Sequence, residues 1–378
     1  MASASSSPLL LLDGAVASTA YPSVAASYGN TFTEQRALEQ GAAVVDLSHR
    51  GVITVAGVDR LGWLDSLLSQ KLDALRPGDS AEALLLDPQG HVEYAMRIVD
   101  DGATAWLLVD EGVAPTLTGW LDRMRFMKQV EVSDVTAAFA AVGVFREGLA
   151  AHALAGLAEV SNGVPVVWHD PWTDVIAGGY QYAATEGHPA PLWDYREYVL
   201  PVAQLTLVAE LVQNGDFSAA GLTAWDALRI AAWRPRAATE VDAGLLPHET
   251  DWLRTAVHLA KGCYRGQETV AKVHNLGHPP RRLVYLHLDG VHDVLPEAGA
   301  AVMHEGNEVG RITAAARHFE EGPIALALIK RPVDPLALLE VEADGVVLTA
   351  SQLTIVPTDA GRTAPPAKLP RLGAVTRD

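Results

Sequence analysis

The run Lys261-Gly262-Cys263-Tyr264-Arg265-Gly266-Gln267-Glu268 sets the chain's only cysteine between a lysine and an arginine. Two cations flanking a thiol favour its thiolate, the form that attacks electrophiles or touches metal, and can draw its pKa below the free value of about 8.5. Gly262 and Gly266 let the backbone turn tightly or approach a ligand closely. Cys263 is therefore the candidate catalytic thiol. The competing reading makes it a small apolar residue packed in a glycine-rich turn.

The octapeptide resembles the signature of the folate-binding YgfZ proteins, relatives of the glycine-cleavage T protein that assist iron–sulfur cluster maturation. Val45-Asp46-Leu47-Ser48-His49-Arg50-Gly51, with Val52 to Gly57 after it, resembles the opening strand region of both branches, and Leu86-Asp87-Pro88-Gln89-Gly90 resembles their next turn. Ala224 to Ile230, Arg234-Pro235-Arg236 and Leu246-Pro247-His248-Glu249 follow in the same order, so the likeness runs from Tyr28 to Pro357. The resemblance implies a folate-binding accessory protein for iron–sulfur cluster assembly or repair, with Cys263 as its working thiol. Iron–sulfur enzymes or cluster carrier proteins would be its partners, and any effect on tRNA modification would be indirect. One cysteine cannot hold a cluster that needs four thiolates, so the thiol would act transiently.

The resemblance also implies tetrahydrofolate or a folate derivative as ligand. A pterin needs apolar walls and a few polar anchors, and its glutamate tail needs a cation. Lys261, Arg229, Arg236 and Arg265 can supply cations, Gln267 and Glu268 can read the pterin edge, and Gly262 and Tyr264 complete the cofactor-binding set. Aminomethyltransferases are similar up to Gly90 but continue with paired aspartates where this chain has Tyr94 and Ala95. A phenol and a methyl do not replace a carboxylate that steadies a cation or moves a proton. Glu93 is one residue away, and a one-residue step in a strand points to the opposite face. The chain is accordingly expected not to be an aminomethyltransferase, and a tetrahydrofolate-dependent aminomethyltransferase or demethylase-like enzyme is the alternative.

A formal charge of −18 over 378 residues repels phosphate backbones, so direct nucleic-acid binding is not expected. Arg234, Arg236, Arg281 and Arg282 could form a local basic patch or a solvated loop face. A hydrophobic content of 49% and a charged content of 20% describe a globular protein with ample core. One cysteine excludes an internal disulfide, and no apolar run approaches a membrane span, which suggests a cytoplasmic protein without a membrane partner. His274 and His278 stand four apart, but the intervening Asn275-Leu276-Gly277 suggests a loop, and no resident metal is expected.

The elements that must position these residues read as α+β. Residues 1–27 form an N-terminal arm. Residues 28–282 form a folate-binding core of two interlocked α/β halves, 28–135 and 136–282. Val52 to Ala56 reads as a strand, Asp59 as a cap, and Leu61, Leu64, Leu68, Leu72 and Leu75 as one helical face. Val92, Tyr94, Met96 and Ile98 alternate as in a strand. Leu117, Trp120, Leu121 and Met124 form a helical stripe. After Pro279-Pro280, five short β-type runs from Leu283 to Glu342 fit a small C-terminal antiparallel barrel over 283–357. Residues 358–378 have little to bury and read as a disordered tail. The resemblance implies a ring-like arrangement of three domains.

Overall fold

The computed structural model describes residues 6–364, and its framework is two five-stranded sheets and a closed six-stranded barrel. The first sheet runs in the order Ser80–Leu86, Val92–Asp100, Thr104–Val109, Gly51–Ala56, Glu131–Asp134, with every pairing antiparallel. The expected alternation holds from Val92 to Ile98, with Val92, Met96 and Ile98 buried and Glu93 exposed, and ends there, since Val99 and Asp100 are both buried. Helices Arg60–Leu67 and Val113–Met124 press Trp63, Leu64, Leu117 and Leu121 onto that buried face.

The second sheet runs Val167–His169, Tyr195–Pro201, Phe139–Phe145, Ala43–Asp46, Ser218–Ala220. Its fourth strand comes from the start of the chain, pairing antiparallel with Phe139–Phe145 and parallel with Ser218–Ala220. One strand of the first half thus completes the sheet of the second, which is what interlocks them. The barrel follows in the order Arg281–Leu288, Gly322–Lys330, Asn307–His318, Ala301–His304, Leu339–Ala343, Val346–Thr354. The last of these strands escapes the sequence pattern because its outward residues Thr349 and Ser351 are polar, leaving only Leu348 and Ala350 fully buried.

Three local expectations change. The helix predicted through Leu75 stops at Leu67: Leu68 is extended, Ser69 N–H donates to the Leu84 carbonyl, and Asp65 Oδ1 takes the Leu72 N–H at 2.8 Å. Leu68 and Leu72 remain fully buried, so the apolar spacing reflected burial rather than helix. Asp59 does not cap, because its carboxylate accepts the Gln129 N–H at 2.8 Å instead. The described part of the N-terminal arm is built in: Pro8–Leu11 forms a 3-10 turn, Val16–Ala17 pairs with Ala25–Ser27, and Leu9 and Val24 are fully buried. At the other end, residues 358–364 are tied down, since Thr363 donates to the His274 carbonyl from both N and Oγ1. The remainder of the predicted tail, 365–378, lies outside the described residues, as do 1–5.

Candidate functional site

The signature forms a turn leading into helix Gln267–Leu276, with Gly266 at φ +82° as its N-cap. Lys261 is inward and fully used. Its ammonium donates to the carbonyls of Asp65, Leu68 (2.9 Å) and Gln70 (2.8 Å) and lies 3.2 Å from the Asp65 carboxylate. Those carbonyls stand where helix Arg60–Leu67 ends, so the lysine satisfies acceptors that the helix leaves open. Burial pulls its pKa down, against the attraction of Asp65. Arg265 pairs with Glu93 at 2.7 Å and lies over the Trp120 ring. Tyr264 is buried, Gln267 donates to the Lys261 carbonyl at 3.2 Å, Glu268 is exposed, and Gly262 faces open space. Cys263 is exposed rather than packed, and both neighbouring cations are engaged with other groups.

His274 sits on helix Gln267–Leu276, not in the expected loop, and shares a 2.9 Å hydrogen bond with the Tyr182 hydroxyl. Among the described residues no group of three or more His, Cys, Asp or Glu could hold a metal ion.

A buried charged chamber lies under the loop Trp233 to Arg236. Arg234 donates to Glu82 at 2.8 Å and to Asp170 at 3.0 Å, and Glu82 also accepts from Trp252 (3.0 Å) and the Thr255 hydroxyl (2.6 Å). Glu197, fully buried, pairs with Arg50 and lies 3.4 Å from Arg97. Asp110 lies 3.7 Å from both Arg97 and Arg236. Burial pushes the Asp110 carboxyl up, but Arg236, Arg97 and Arg50 outweigh it and hold it well below the usual carboxylate range. Burial likewise opposes the charge on Glu197, and Arg50 with Arg97 prevails, so its pKa is lowered. Trp193, Tyr195 and Trp225 form the aromatic wall. Two voids of about 10 Å³ each remain, sharing Arg97, Pro235 and Arg236, and each has room for one water-sized species.

Ala95 opens onto the first void beside Asp110. Continuing the register that pairs Arg97 with Leu108 brings Asp110 opposite Ala95, on the same sheet face. The neighbouring strand thus delivers a carboxylate to a position whose own strand carries a methyl. Tyr94 turns to the other face, against the helix-covered core.

Beside the chamber opens a cleft of about 310 Å³ walled by Ala74, Leu75, Ala81, Pro171, Ile176 and Ala177. Gln70, Lys71, Thr255 and His258 edge it, and Glu82 belongs to both cleft and chamber. Of the residues singled out from sequence, the expected folate contacts Arg229 and Arg236 line the chamber, together with Arg234 and Ala95. None of residues 261–268 lines chamber or cleft, although Lys261 holds the carbonyl of Gln70 at the cleft edge. The basic patch envisaged from sequence does not form: Arg234, Arg236 and Arg282 are buried, and Arg281 is paired with Asp242 and Glu249. Sequence reasoning missed Glu82, Arg97, Asp110, Asp170 and Glu197. Their one signal is a charged residue inside or at the end of an otherwise apolar strand run.

Comparison with known proteins agrees with this architecture. Residues 17–161 match the GCVT N-terminal domain and residues 281–357 the glycine cleavage T-protein C-terminal barrel domain. The aminomethyltransferase of Synechococcus sp. (strain RCC307) is 28% identical over 317 residues, covering 81% of this chain and 84% of the relative. That of Rippkaea orientalis is 27% identical over 327 residues, covering 82% and 85%. A chloroplast protein of Arabidopsis thaliana carrying only the general name of transferase is 26% identical over 310 residues, and the match spans 77% of this chain and 66% of that relative. The crystal structure of the aminomethyltransferase T from Bartonella henselae superimposes with a TM-score of 0.71 over 94% of this chain and 97% of the other at 19% identity, which shows a shared fold. These relatives overturn two expectations, the accessory role in iron–sulfur assembly and the exclusion of aminomethyltransferase chemistry; the missing aspartates at 94 and 95 were too narrow a ground, since carboxylates reach the chamber from other strands. The chain belongs to the glycine-cleavage T-protein-like family.

Proposed function

We propose that this protein is a tetrahydrofolate-dependent one-carbon transferase of the aminomethyltransferase type, taking its carbon from an amine donor. The observation that carries the reading is Glu82, one buried carboxylate that lines both an apolar-walled cleft and the charged chamber. The names of its relatives support the same reaction class.

The cleft suits the ligand. Its volume lies at the lower end of the roughly 300–1,000 Å³ of small-molecule sites, its walls are small and apolar, and its polar groups are few. Glu82 and Gln70, whose oxygens can each accept a further hydrogen bond, would anchor a donor-rich heterocycle edge, and Lys71, paired at the rim with Asp73 at 2.6 Å, would exchange that exposed partner for an anionic tail. Tetrahydrofolate, when bound, supplies the nitrogen that accepts the one-carbon unit. The chain's contribution is electrostatic. Asp110 and Glu197 are buried and held ionised by their arginines, so their negative charge is weakly screened by solvent and would stabilise a donor that turns cationic. The octapeptide around Cys263 keeps its likeness to YgfZ proteins, and we read it as a mark of branch within the family, with Lys261 holding the cleft edge.

Calorimetry with tetrahydrofolate tests the placement. The native chain should bind saturably, and Ala177→Trp, a substitution at an exposed loop residue of the cleft wall, should weaken binding at least about tenfold, some 1.4 kcal/mol. Equal affinity in the variant would move the ligand out of the cleft, and no binding by folded native protein would remove the reading.

A further inference from the structure

A groove of about 880 Å³ opens on the second sheet and shares no lining residue with the chamber or the cleft. Leu12, Phe217 and Ala219 in its lining belong to the core on one side of that sheet, and Trp193, Tyr195 and Trp225 of the chamber to the core on the other. The volume falls within the roughly 300–1,000 Å³ of small-molecule sites. Leu12, Ala37, Leu149, Val212 and Phe217 give the groove apolar walls.

Its charge has one sign. Asp13, Glu34 and Asp216 line it, and no lysine, arginine or histidine does. Glu34 is only 6% exposed, accepts the N–H groups of Tyr28 and Gly221 at 2.8 Å each, and has no ion-pair partner among the described residues. A carboxylate so buried is ordinarily paired with a cation, and of its roughly four lone-pair positions the backbone takes two. The Tyr28 hydroxyl lines the same groove, buried and without a hydrogen-bond partner. Helix Gln204–Asn214 ends on the groove at Val212 and Gln213, with no basic residue in its last turn, so its carbonyl end adds to the pull on a cation. Helix Thr31–Glu39 begins there with the opposite polarity, but Asn30 Oδ1 already accepts the N–H groups of Phe32 and Thr33, and Glu34 stands in its first turn.

We infer that this groove is a binding site for a linear polyamine, an alkyl chain bearing two or more ammonium groups. Its methylenes lie along the apolar walls, one ammonium takes the free lone pairs of Glu34 and the Tyr28 oxygen, and the others meet Asp13 and Asp216. An anionic or neutral ligand leaves the buried carboxylate unpaired, so the groove selects for positive charge. The site rests on this groove alone and stands whether or not the chain transfers one-carbon units.

Calorimetry on the full chain with spermidine, putrescine and succinate tests it, in about 0.15 M salt so that the general field of an acidic surface is screened within about 8 Å. Spermidine should bind saturably, putrescine about tenfold more weakly and succinate not at all. Asp13→Lys combined with Asp216→Lys, both at exposed residues, should weaken spermidine at least about tenfold, and Tyr28→Phe about threefold. Glu131→Lys combined with Glu186→Lys changes the net charge equally at exposed residues outside the groove, and should leave the affinity unchanged. Urea midpoints confirm that each variant is folded. The site is overturned if spermidine gives no saturable heat up to about 10 mM, above the millimolar affinities of weak small ligands. It is overturned equally if succinate binds as well as spermidine, or if the groove pair binds as the native chain does. Loss of affinity in the outside pair as large as in the groove pair would make the attraction a property of the whole surface and also overturn it.

Discussion

Gly90 and Gly266 meet backbone to backbone: a Cβ on Gly266 would lie 3.0 Å from the Gly90 Cα and 2.6 Å from the Asp87 carbonyl oxygen. Both have positive φ, +86° and +82°. The Asp87 to Gly90 turn of the first sheet is thereby seated against the start of helix Gln267–Leu276, fixing the signature to the domain that carries the cleft. Gly266→Ala should therefore destabilise the fold by at least the roughly 1–3 kcal/mol of a forced left-handed residue, read from urea unfolding. Gly262→Ala is the control, since nothing lies within 4 Å of its added methyl. It should fall within about 0.5 kcal/mol of native.

Lys261→Met leaves the carbonyls of Leu68 and Gln70 without their buried donor. Each loss is of the order of 1–3 kcal/mol, so the variant should show a clearly lower urea midpoint. Because Gln70 edges the cleft, tetrahydrofolate affinity should drop with it. Unchanged stability would contradict the cradle.

How much of this was legible in the sequence follows from what periodicity records. Burial patterns identified Val92–Asp100, Val113–Met124 and most of the barrel, because a strand or helix with one buried face repeats at its own period. Leu68 and Leu72 show the limit: buried leucines at helical spacing belonged to a turn closed by Asp65 and Ser69. The site was legible at Arg229, Arg234, Arg236 and Ala95, and not at its carboxylates. Glu82, Asp110 and Glu197 converge from strands far apart in sequence, and pairing across sheets leaves no local mark. Cys263 drew attention by its neighbours' charge, yet Lys261 and Arg265 are spent on Asp65 and Glu93.

Stability should depend on pH through Asp251. It is fully buried, and burial raises its pKa to about 7. The unfolded chain releases that proton near pH 3.9, so the native state holds it between the two values, and the stabilisation is complete below the lower and lost as pH rises through the upper. Asp251→Asn stays neutral and should be more stable than native at pH 8, with the gap closing towards pH 5. His188 and His248 work in the opposite sense: burial lowers each to about 4, so their stabilisation is lost as pH falls from 6.5 through 4. Urea midpoints across pH 4 to 8 would show both arms. An Asp251→Asn gap that does not narrow on acidification would rule out the buried proton.

Cys263→Ser should leave both fold and turnover close to native, within about 0.5 kcal/mol in stability, because the thiol is exposed and outside the chamber and cleft. Native protein should alkylate fully with iodoacetamide without loss of transfer. Inactivation on alkylation, matched by an inactive Cys263→Ser, would return the thiol to the reaction.

Turnover of the purified, folded chain with tetrahydrofolate and an N-methyl or aminomethyl donor, followed by formation of the one-carbon folate product, decides whether the protein is a one-carbon transferase. Turnover should depend on both donor and tetrahydrofolate. Glu197→Gln and Asp110→Asn, which keep shape and remove charge in the chamber, should lower kcat by about 10²–10³, as loss of a fixed electrostatic group does. Folate affinity in the cleft should stay within a few-fold of native in both. Absence of product from protein shown to be folded and to bind tetrahydrofolate, across both donor types, would contradict the transferase reading.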